Sequence, residues 1–156
     1  MAAFLYSMKL EEEIKQSKFK SAQQKAVLNI LFTANWIQNL QRELFEPYGI
    51  TGQQYNILRI LRGQHPKRIC AYELKCRLLD KNSDVSRLLD RLIGKKLVNK
   101  SKSKTDKRAF EITITPQGLA LLSEMDSLIN TLDTRVIKLS STEASQLNGL
   151  LDKCRD

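Results

Sequence analysis

The sequence predicts a mainly helical fold with one small β-hairpin, in the order α-α-α-α-β-β-α-α. Apolar residues recur at helical spacing over most of the chain, whereas residues 97–115 have the composition of two strands around a lysine-rich loop. Glycines, prolines and capping residues separate these segments. With 156 residues and 42% hydrophobic content the chain can bury a core, and we expect residues 1–156 to form one domain.

The first predicted helix spans residues 19–46. Its apolar residues fall at roughly helical intervals, and Pro47 and Gly49 are the first residues that interrupt it. A helix of this length exposes more apolar surface than a small domain covers by itself. We therefore expect it to pack against a second copy of the chain.

The second helix is predicted to follow Thr51, a good N-cap that forms a capping-box pattern with Gln54. Gly63 and Pro66 bracket the end of this helix. A short third helix covers residues 70–79. Its inward-facing residues are expected to be Leu74, Leu78 and Leu79.

The fourth helix begins near Ser83, with either Asp80 or Asn82 as its cap, and ends at Gly94. Its apolar positions are Val85, Leu88, Leu89, Leu92 and Ile93. Its opposite face consists of Ser83, Asp84, Ser86, Arg87, Asp90 and Arg91. Two short helices joined by a few polar residues form a helix-turn-helix, in which the second helix enters the major groove of DNA.

Two predicted strands, residues 97–100 and 109–115, follow the fourth helix and form a β-wing. Thr115 and Pro116 then supply an N-cap and a first helical residue for a fifth helix that extends to about residue 139. Ser141 or Thr142 is expected to cap a final helix that ends near residue 154.

Positive charge is concentrated in the centre of the chain. The net charge is +9, and residues 51–118 contain 16 Lys or Arg against 6 Asp or Glu, whereas the remaining residues hold 10 basic and 11 acidic side chains. This concentration predicts a polyanionic partner, for which double-stranded DNA is the leading candidate. Membrane binding is disfavoured because no apolar run of about 18 residues exists. The N-terminus does not have the pattern of a signal peptide, so a cytoplasmic location is expected.

The residues that support catalysis or metal binding are scarce. Cys70, Cys76 and Cys154 have no CxxC spacing, which argues against a zinc site or a disulfide framework, although a redox-active thiol stays open. The single His65 lies beside a proline, and no nucleophile elbow or phosphate-binding loop is present. We expect no enzyme activity, no cofactor and no metal.

Two segments resemble the MarR family of winged helix-turn-helix transcriptional regulators. Asp106-Lys107-Arg108 followed by residues 112–118, ITITPQG, is similar to the family's wing pattern D-[RK]-R then L-T-x-x-G, and residues 83–92 resemble its recognition helix. The resemblance extends over about residues 20–153. It implies a DNA-binding lobe at residues 51–118 and dimerisation helices at 19–46 and 117–154.

The resemblance also implies a homodimeric repressor that binds a pseudo-palindromic operator. Arg108 would enter the minor groove, and Asp106 would hold an arginine such as Arg91. Many members bind a small phenolic or aromatic effector in a cleft between the dimer region and the DNA-binding lobe. The aromatic residues that would border this cleft, or would instead belong to the core, are Trp36, Tyr48 and Tyr55. The family's peroxide-sensing branch has a cysteine near the start of the first helix, where this chain has none.

Arg87 is the first candidate for a base contact, because a guanidinium donates two hydrogen bonds to guanine. The other candidates on the recognition helix are Ser83, Asp84, Ser86 and Arg91. The candidates for the wing are Lys102, Lys104, Asp106, Lys107 and Arg108. Phosphate contacts are also expected from Lys81 and Asn82. The alternative is a winged helix used for protein contact or for architectural DNA binding.

Overall fold

The computed structural model describes residues 9–103, 110–136 and 138–155. The chain divides into two compact units, Met1–Phe45 and Glu46–Asp156. The elements are α1 (Leu10–Glu13), α2 (Ala22–Phe45), a 3-10 turn (Glu46–Tyr48), α3 (Gly52–Gln64), β1 (Ile69–Cys70), α4 (Ala71–Arg77), α5 (Val85–Gly94), β2 (Val98–Lys102), β3 (Phe110–Ile114), α6 (Pro116–Val136) and α7 (Ser141–Lys153). The mainly helical fold with a small antiparallel sheet is confirmed.

The first unit consists of α1 and the long helix α2. Lys25 on α2 forms an ion pair with Glu11 on α1, which lowers the pKa of the Glu11 carboxyl, and the same ammonium lies 5.6 Å from the ring centre of Phe19. Five large apolar side chains of α2 remain between 36% and 56% exposed: Val27, Ile30, Leu31, Phe32 and Trp36. The surface that the sequence predicts to need a partner is therefore open within this unit.

The second unit is built around α3, which packs against α5, α6 and β3. Its fully buried side chains are Ile57, Leu58, Leu61, Leu74, Leu89, Leu92, Val98, Ile112, Leu122 and Met125. On the rim of this core, the Arg62 guanidinium binds both carboxylate oxygens of Asp126 at 2.9 Å, which joins α3 to α6. The core therefore comes from six elements distributed along the sequence, namely α3, α4, α5, β2, β3 and α6.

The three-stranded sheet has the order β1-β3-β2 and is antiparallel throughout. The hairpin, which we define as β2 and β3, was predicted with strands at 97–100 and 109–115; the strands run instead from Val98 to Lys102 and from Phe110 to Ile114. The two-residue strand β1, like the four-residue helix α1, was not predicted, because neither is long enough to show a period. Together β1 and β2 make β3 the central strand.

Two predicted caps are wrong. Asp84, and neither Asp80 nor Asn82, caps α5. Ser140 caps α7 in a capping box with Glu143, in place of the predicted Ser141 or Thr142. In both cases the structure selects the residue whose side-chain oxygen meets the third backbone N–H of the helix.

Leu79 also differs from its prediction. It is 88% exposed, whereas Leu74 and Leu78 are buried. The reason is that α4 ends at Arg77, so Leu79 no longer follows the helical period; its backbone N–H donates to Asn56 Oδ1 at 3.1 Å.

The predicted caps of α3 and α6 are confirmed. Thr51 and Gln54 form the expected capping box. Thr115 Oγ1 accepts a hydrogen bond from the Gly118 N–H at 3.0 Å, and α6 then ends at Val136, three residues short of the predicted bound. Among the described helices, none combines the length and the apolar character needed to cross a membrane.

Candidate nucleic-acid interface

Helix α5 has the two faces that the sequence predicts. Val85, Leu88, Leu89 and Leu92 are buried, and Ile93 is half-buried. The opposite face is exposed and consists of Ser86, Arg87, Asp90 and Arg91. The apolar face fixes the helix on the core, so the polar face has a defined orientation towards solvent.

Arg87 and Arg91 are the cations of this polar face. Among the described residues, neither guanidinium has an ion-pair partner, although Asp90 lies on the same helix. Arginines of this kind are available for phosphate or for the acceptor edge of guanine. Lys95 and Lys96, which were not among the predicted site residues, extend the exposed cationic surface beyond the end of α5.

The start of α5 is determined by Asp84. Its Oδ1 accepts a hydrogen bond from the Arg87 N–H at 3.1 Å, and its negative charge is favourable at the positive end of the helix dipole. The sequence placed Asp84 among the DNA-contacting residues. The structure gives its carboxylate a capping role within the protein, and the side chain is exposed beside the arginine face.

A hydrogen-bonded cluster, here called the turn cluster, connects α3 to the turn before α5. It consists of Gln53, Asp80 and Ser83. Gln53 Nε2 donates to Asp80 Oδ2 at 3.0 Å and to Ser83 Oγ at 3.2 Å, and Ser83 Oγ donates to Asp80 Oδ2 at 3.0 Å. The pKa of the Asp80 carboxyl lies below its ordinary value because the Asn82 backbone N–H and then the Ser83 hydroxyl and Gln53 amide donate to it.

The turn cluster changes the interpretation of Ser83. The sequence predicted a DNA contact from the start of the helix, but Ser83 precedes α5, is only 9% exposed and uses its hydroxyl inside the protein. Asn82 and Lys81 are exposed, as expected for residues near phosphate, and the Lys81 ammonium donates to the Cys76 carbonyl. Gln53 was not predicted as a site residue, since no local pattern relates it to a turn 27 residues further on.

The outer face of the hairpin carries a second polar cluster. Glu111 on β3 pairs in register with Ser101 on β2, and its Oε2 accepts from Arg68 Nη1 at 3.0 Å. Its Oε1 accepts from the Ser103 hydroxyl at 2.8 Å. Arg68 precedes β1, so its approach to Glu111 could not be predicted without that strand. The pairing of Ser101 with Glu111, in contrast, follows from the antiparallel register of the predicted hairpin.

Of the five candidates for the wing, the structure describes only Lys102. Lys102 is exposed at the end of β2. Lys104, Asp106, Lys107 and Arg108 lie outside the described residues. Beside Lys102, the Lys100 ammonium lies 4.6 Å from the ring centre of the exposed Phe110. The described base of the wing therefore presents two lysines.

The junction of the wing with α6 explains the Thr-Pro-x-Gly pattern. The Thr115 hydroxyl donates to the Lys96 carbonyl at 2.8 Å, and the Thr115 N–H donates to the Leu97 carbonyl at 3.1 Å. A Cβ at position 118 would lie 2.4 Å from that Leu97 oxygen. Only glycine allows this approach. The left-handed residue at the end of α5 is Lys96, with φ 59°, while Gly94 is the last helical residue.

The cysteines are free, and Cys76 and Cys154 are exposed. Cys70 caps α4: its Sγ accepts from the Glu73 N–H at 3.4 Å, and Glu73 Oε2 accepts from the Cys70 N–H at 3.0 Å, which lowers the pKa of Glu73. In the described part of the chain, no three His, Cys, Asp or Glu side chains are arranged to hold a metal ion.

The three aromatic residues considered for an effector have different environments. Tyr55 is a core residue with 8% exposure, whereas Trp36 is 41% exposed on α2. Tyr48 is half-buried in the 3-10 turn. Tyr55 is therefore a core residue, whereas Trp36 and Tyr48 are still candidates for contact with an effector.

Comparison with known proteins gives concordant matches. A model of the MarR family matches residues 50–110. The HTH-type transcriptional regulator PapX of Escherichia coli is 26% identical over 95 residues, which are 61% of this chain and 58% of PapX. The match thus spans less than two thirds of the length of that curated relative.

Solved structures resemble this chain over most of its length. A cysteine-to-serine mutant of MarR from E. coli in complex with operator DNA is 27% identical, has a TM-score of 0.74, and the match covers 94% of this chain and 99% of that one. BpsR of Bordetella bronchiseptica, whose DNA binding is regulated by 6-hydroxynicotinic acid, is 21% identical with a TM-score of 0.77, covering 90% and 99% of the two chains. The fold of the described residues is that of these winged-helix regulators.

Proposed function

Because the chain belongs to the MarR family of winged helix-turn-helix regulators, we propose that it is a sequence-specific transcriptional regulator that binds double-stranded DNA. The observation that supports this most is the exposed face of α5, where Arg87 and Arg91 have no ion-pair partner among the described residues. Membership of a family of transcription factors agrees with the expectation that the chain is not an enzyme.

Recognition of the major groove is assigned to α5. Arg87 lies in the first turn, where a recognition helix meets base edges, and it is the proposed guanine contact. Ser86 and Arg91 are the proposed neighbours, and Asp84 contributes by capping the helix. Lys81 and Asn82 in the preceding turn are proposed to contact phosphates, which fix the register of the protein on the duplex.

Recognition of the minor groove is assigned to the wing. Arg108 is the proposed residue inside the groove, because narrow A·T tracts concentrate negative potential there. Asp106 would hold an arginine, and the proposed phosphate contacts of the wing are Lys102, Lys104 and Lys107. The exposed Lys102 and the exposed Lys100 at the described base of the wing support a cationic surface at this place.

The functional form is proposed to be a homodimer on a pseudo-palindromic operator. The open apolar side chains of α2 support this, and on α7 Leu147 and Leu150 are 38% and 63% exposed. A second copy would cover such surfaces with the dimerisation helices at 19–46 and 117–154. A two-fold dimer requires half-sites about one helical turn apart, or about 10 base pairs.

The proposed mode of action is repression that a small aromatic or phenolic molecule relieves. BpsR, which has this fold, is regulated by a molecule of that class. The molecule must bind the DNA-competent and DNA-incompetent states with different affinity, because equal affinity shifts no equilibrium. Of the three aromatic candidates, Trp36 is exposed and Tyr48 is half-buried.

The alternative function, a winged helix for protein contact or for architectural DNA binding, makes different predictions. A protein-contact module should show little dependence on salt, and an architectural protein should bind all duplexes alike. The exposed arginines of α5 favour the regulator.

Selection of bound duplexes from a random pool tests the proposal. A regulator will enrich an inverted repeat, and its affinity will fall steeply with salt. Recovery of unrelated sequences would leave only the architectural function, and failure to retain any duplex at low salt would exclude DNA binding altogether.

A further inference from the structure

We infer that Arg68 and Glu111 form a positioning pair that orients the hairpin for the minor groove. The inference rests on the proposed function, since it assigns the pair a role in DNA binding. It adds residues to the interface that neither the recognition helix nor the wing loop contains.

The geometry places Glu111 at the centre of the sheet. Its backbone pairs with Cys70 on β1 and with Ser101 on β2. One carboxylate oxygen accepts from Arg68, which precedes β1, and the other accepts from Ser103, which follows β2. Arg68 Nη1 also donates to the Ser101 hydroxyl at 3.3 Å. A single carboxylate thus joins all three strands.

Burial and charge indicate why a glutamate occupies this position. The Glu111 side chain is 22% exposed, and Ser103 is 8% exposed, so the cluster is partly shielded from water. A carboxylate on a hairpin that approaches phosphates is unfavourable unless cations and donors compensate it. Arg68 and the serine supply that compensation. The negative charge of Glu111 is therefore neutralised by Arg68 within the protein, so it repels DNA less.

The position of the cluster relates it to the wing loop. Ser103 is the last described residue before residues 104–109, and Glu111 is the second described residue after them. Two-stranded ribbons twist more strongly than wider sheets, and beyond the Cys70–Glu111 pair only β2 and β3 remain in the sheet. Bonds from Arg68 to both strands restrict this twist next to residues 104–109, which include Arg108.

The test uses duplexes that differ only in the minor groove. Inosine·cytosine pairs lack the guanine amino group in the minor groove but keep the purine acceptors of the major groove. The selected site is prepared with G·C or with I·C pairs in the flanks. A wing that enters the minor groove should prefer the I·C duplex, and this flank preference is the ratio of the two dissociation constants.

The variants are Glu111→Gln, Arg68→Gln and the reversal Arg68→Glu/Glu111→Arg, all in the full chain. Because an ion pair of this exposure contributes only modestly to stability, we expect the flank preference of each single variant to fall by about two- to fivefold. The reversal should restore the preference. The matched control is Asp126→Asn, which breaks the Arg62 pair in the same unit and should leave the flank preference unchanged.

Melting temperatures separate positioning from folding. Arg68 is 49% exposed and lies outside the strands, so Arg68→Gln should fold even where Glu111→Gln does not. Retention of the full flank preference by a folded Arg68→Gln would overturn the inference, as would wild-type protein that binds its site without any flank preference. Wild-type protein that binds no duplex would instead refute the proposed function.

Discussion

Replacing Gly118 with alanine should destabilise the protein by more than the size of a methyl group suggests. Gly118 is buried in the first turn of α6, beside the end of the wing. An added Cβ would lie 2.4 Å from the Leu97 carbonyl oxygen and 2.8 Å from Ile114 Cγ1. Real Cβ atoms essentially never approach within 3.0 Å, so the backbone of Leu97 must move.

The magnitude follows from what that movement disrupts. The Leu97 carbonyl accepts from the Thr115 N–H at 3.1 Å, and Thr115 also bonds the Lys96 carbonyl through its hydroxyl. Overpacking of a rigid site costs about 1–3 kcal/mol, and a lost backbone hydrogen bond adds about 1 kcal/mol. We expect a loss of about 2–4 kcal/mol, which corresponds to a fall of about 5–15 °C in melting temperature for a chain of this size.

The assay is urea unfolding followed by circular dichroism at one protein concentration, because the stability of the proposed dimer would depend on protein concentration. Gly63→Ala is the matched control. Nothing lies within 4 Å of its added Cβ, and it belongs to a helix, so alanine should stabilise by about 0.5–1 kcal/mol. If both variants change stability alike, the close approach at Leu97 does not exist.

Four further changes test the interface. Asp84→Ala should lower the free energy of unfolding by about 1 kcal/mol through loss of the α5 cap, whereas Asp90→Ala, which removes no cap, should change it little. Arg87→Ala should cost about 1–3 kcal/mol on the selected site and relax base preference, and equal loss on random duplexes would reject its assignment to a base. Lys102→Ala should weaken binding to all duplexes alike and flatten the salt dependence by about one unit; an unchanged slope would place it away from phosphate. Leu31→Glu should shift sedimentation from dimer to monomer, and an intact dimer would exclude that part of α2 from the interface.

The sequence predicted the elements whose periods are long enough to be distinctive. The alternation of faces on α5 and the capping residues Thr51 and Thr115 depend on neighbours within a few residues, so they could be recognised locally. The caps Asp84 and Ser140 were missed because several polar residues in a row can each cap a helix. Only the path of the backbone decides which of them meets the N–H groups.

The site residues that could not be predicted from the sequence form contacts with residues far away in the chain. Gln53 meets a turn 27 residues away, and Arg68 meets a strand 43 residues away. Neither approach has a local signature, since it depends on how α3 and β1 pack in the folded unit. Leu79 was predicted wrongly for a related reason. Its helical spacing favoured burial, but α4 ends at Arg77, before this residue. Short elements therefore weaken periodicity as a guide to burial.

The two ends of α5 are held by different contacts within the same unit. At its start, the turn cluster ties Asp80 and Ser83 to Gln53 on α3. Beyond its end, Lys96 and Leu97 bond to Thr115, at the beginning of α6. A helix fixed at both ends and buried along one face has little freedom to rotate within its unit. A ligand that releases DNA would therefore act more readily by changing the distance between the recognition helices of two copies than by reorienting either helix.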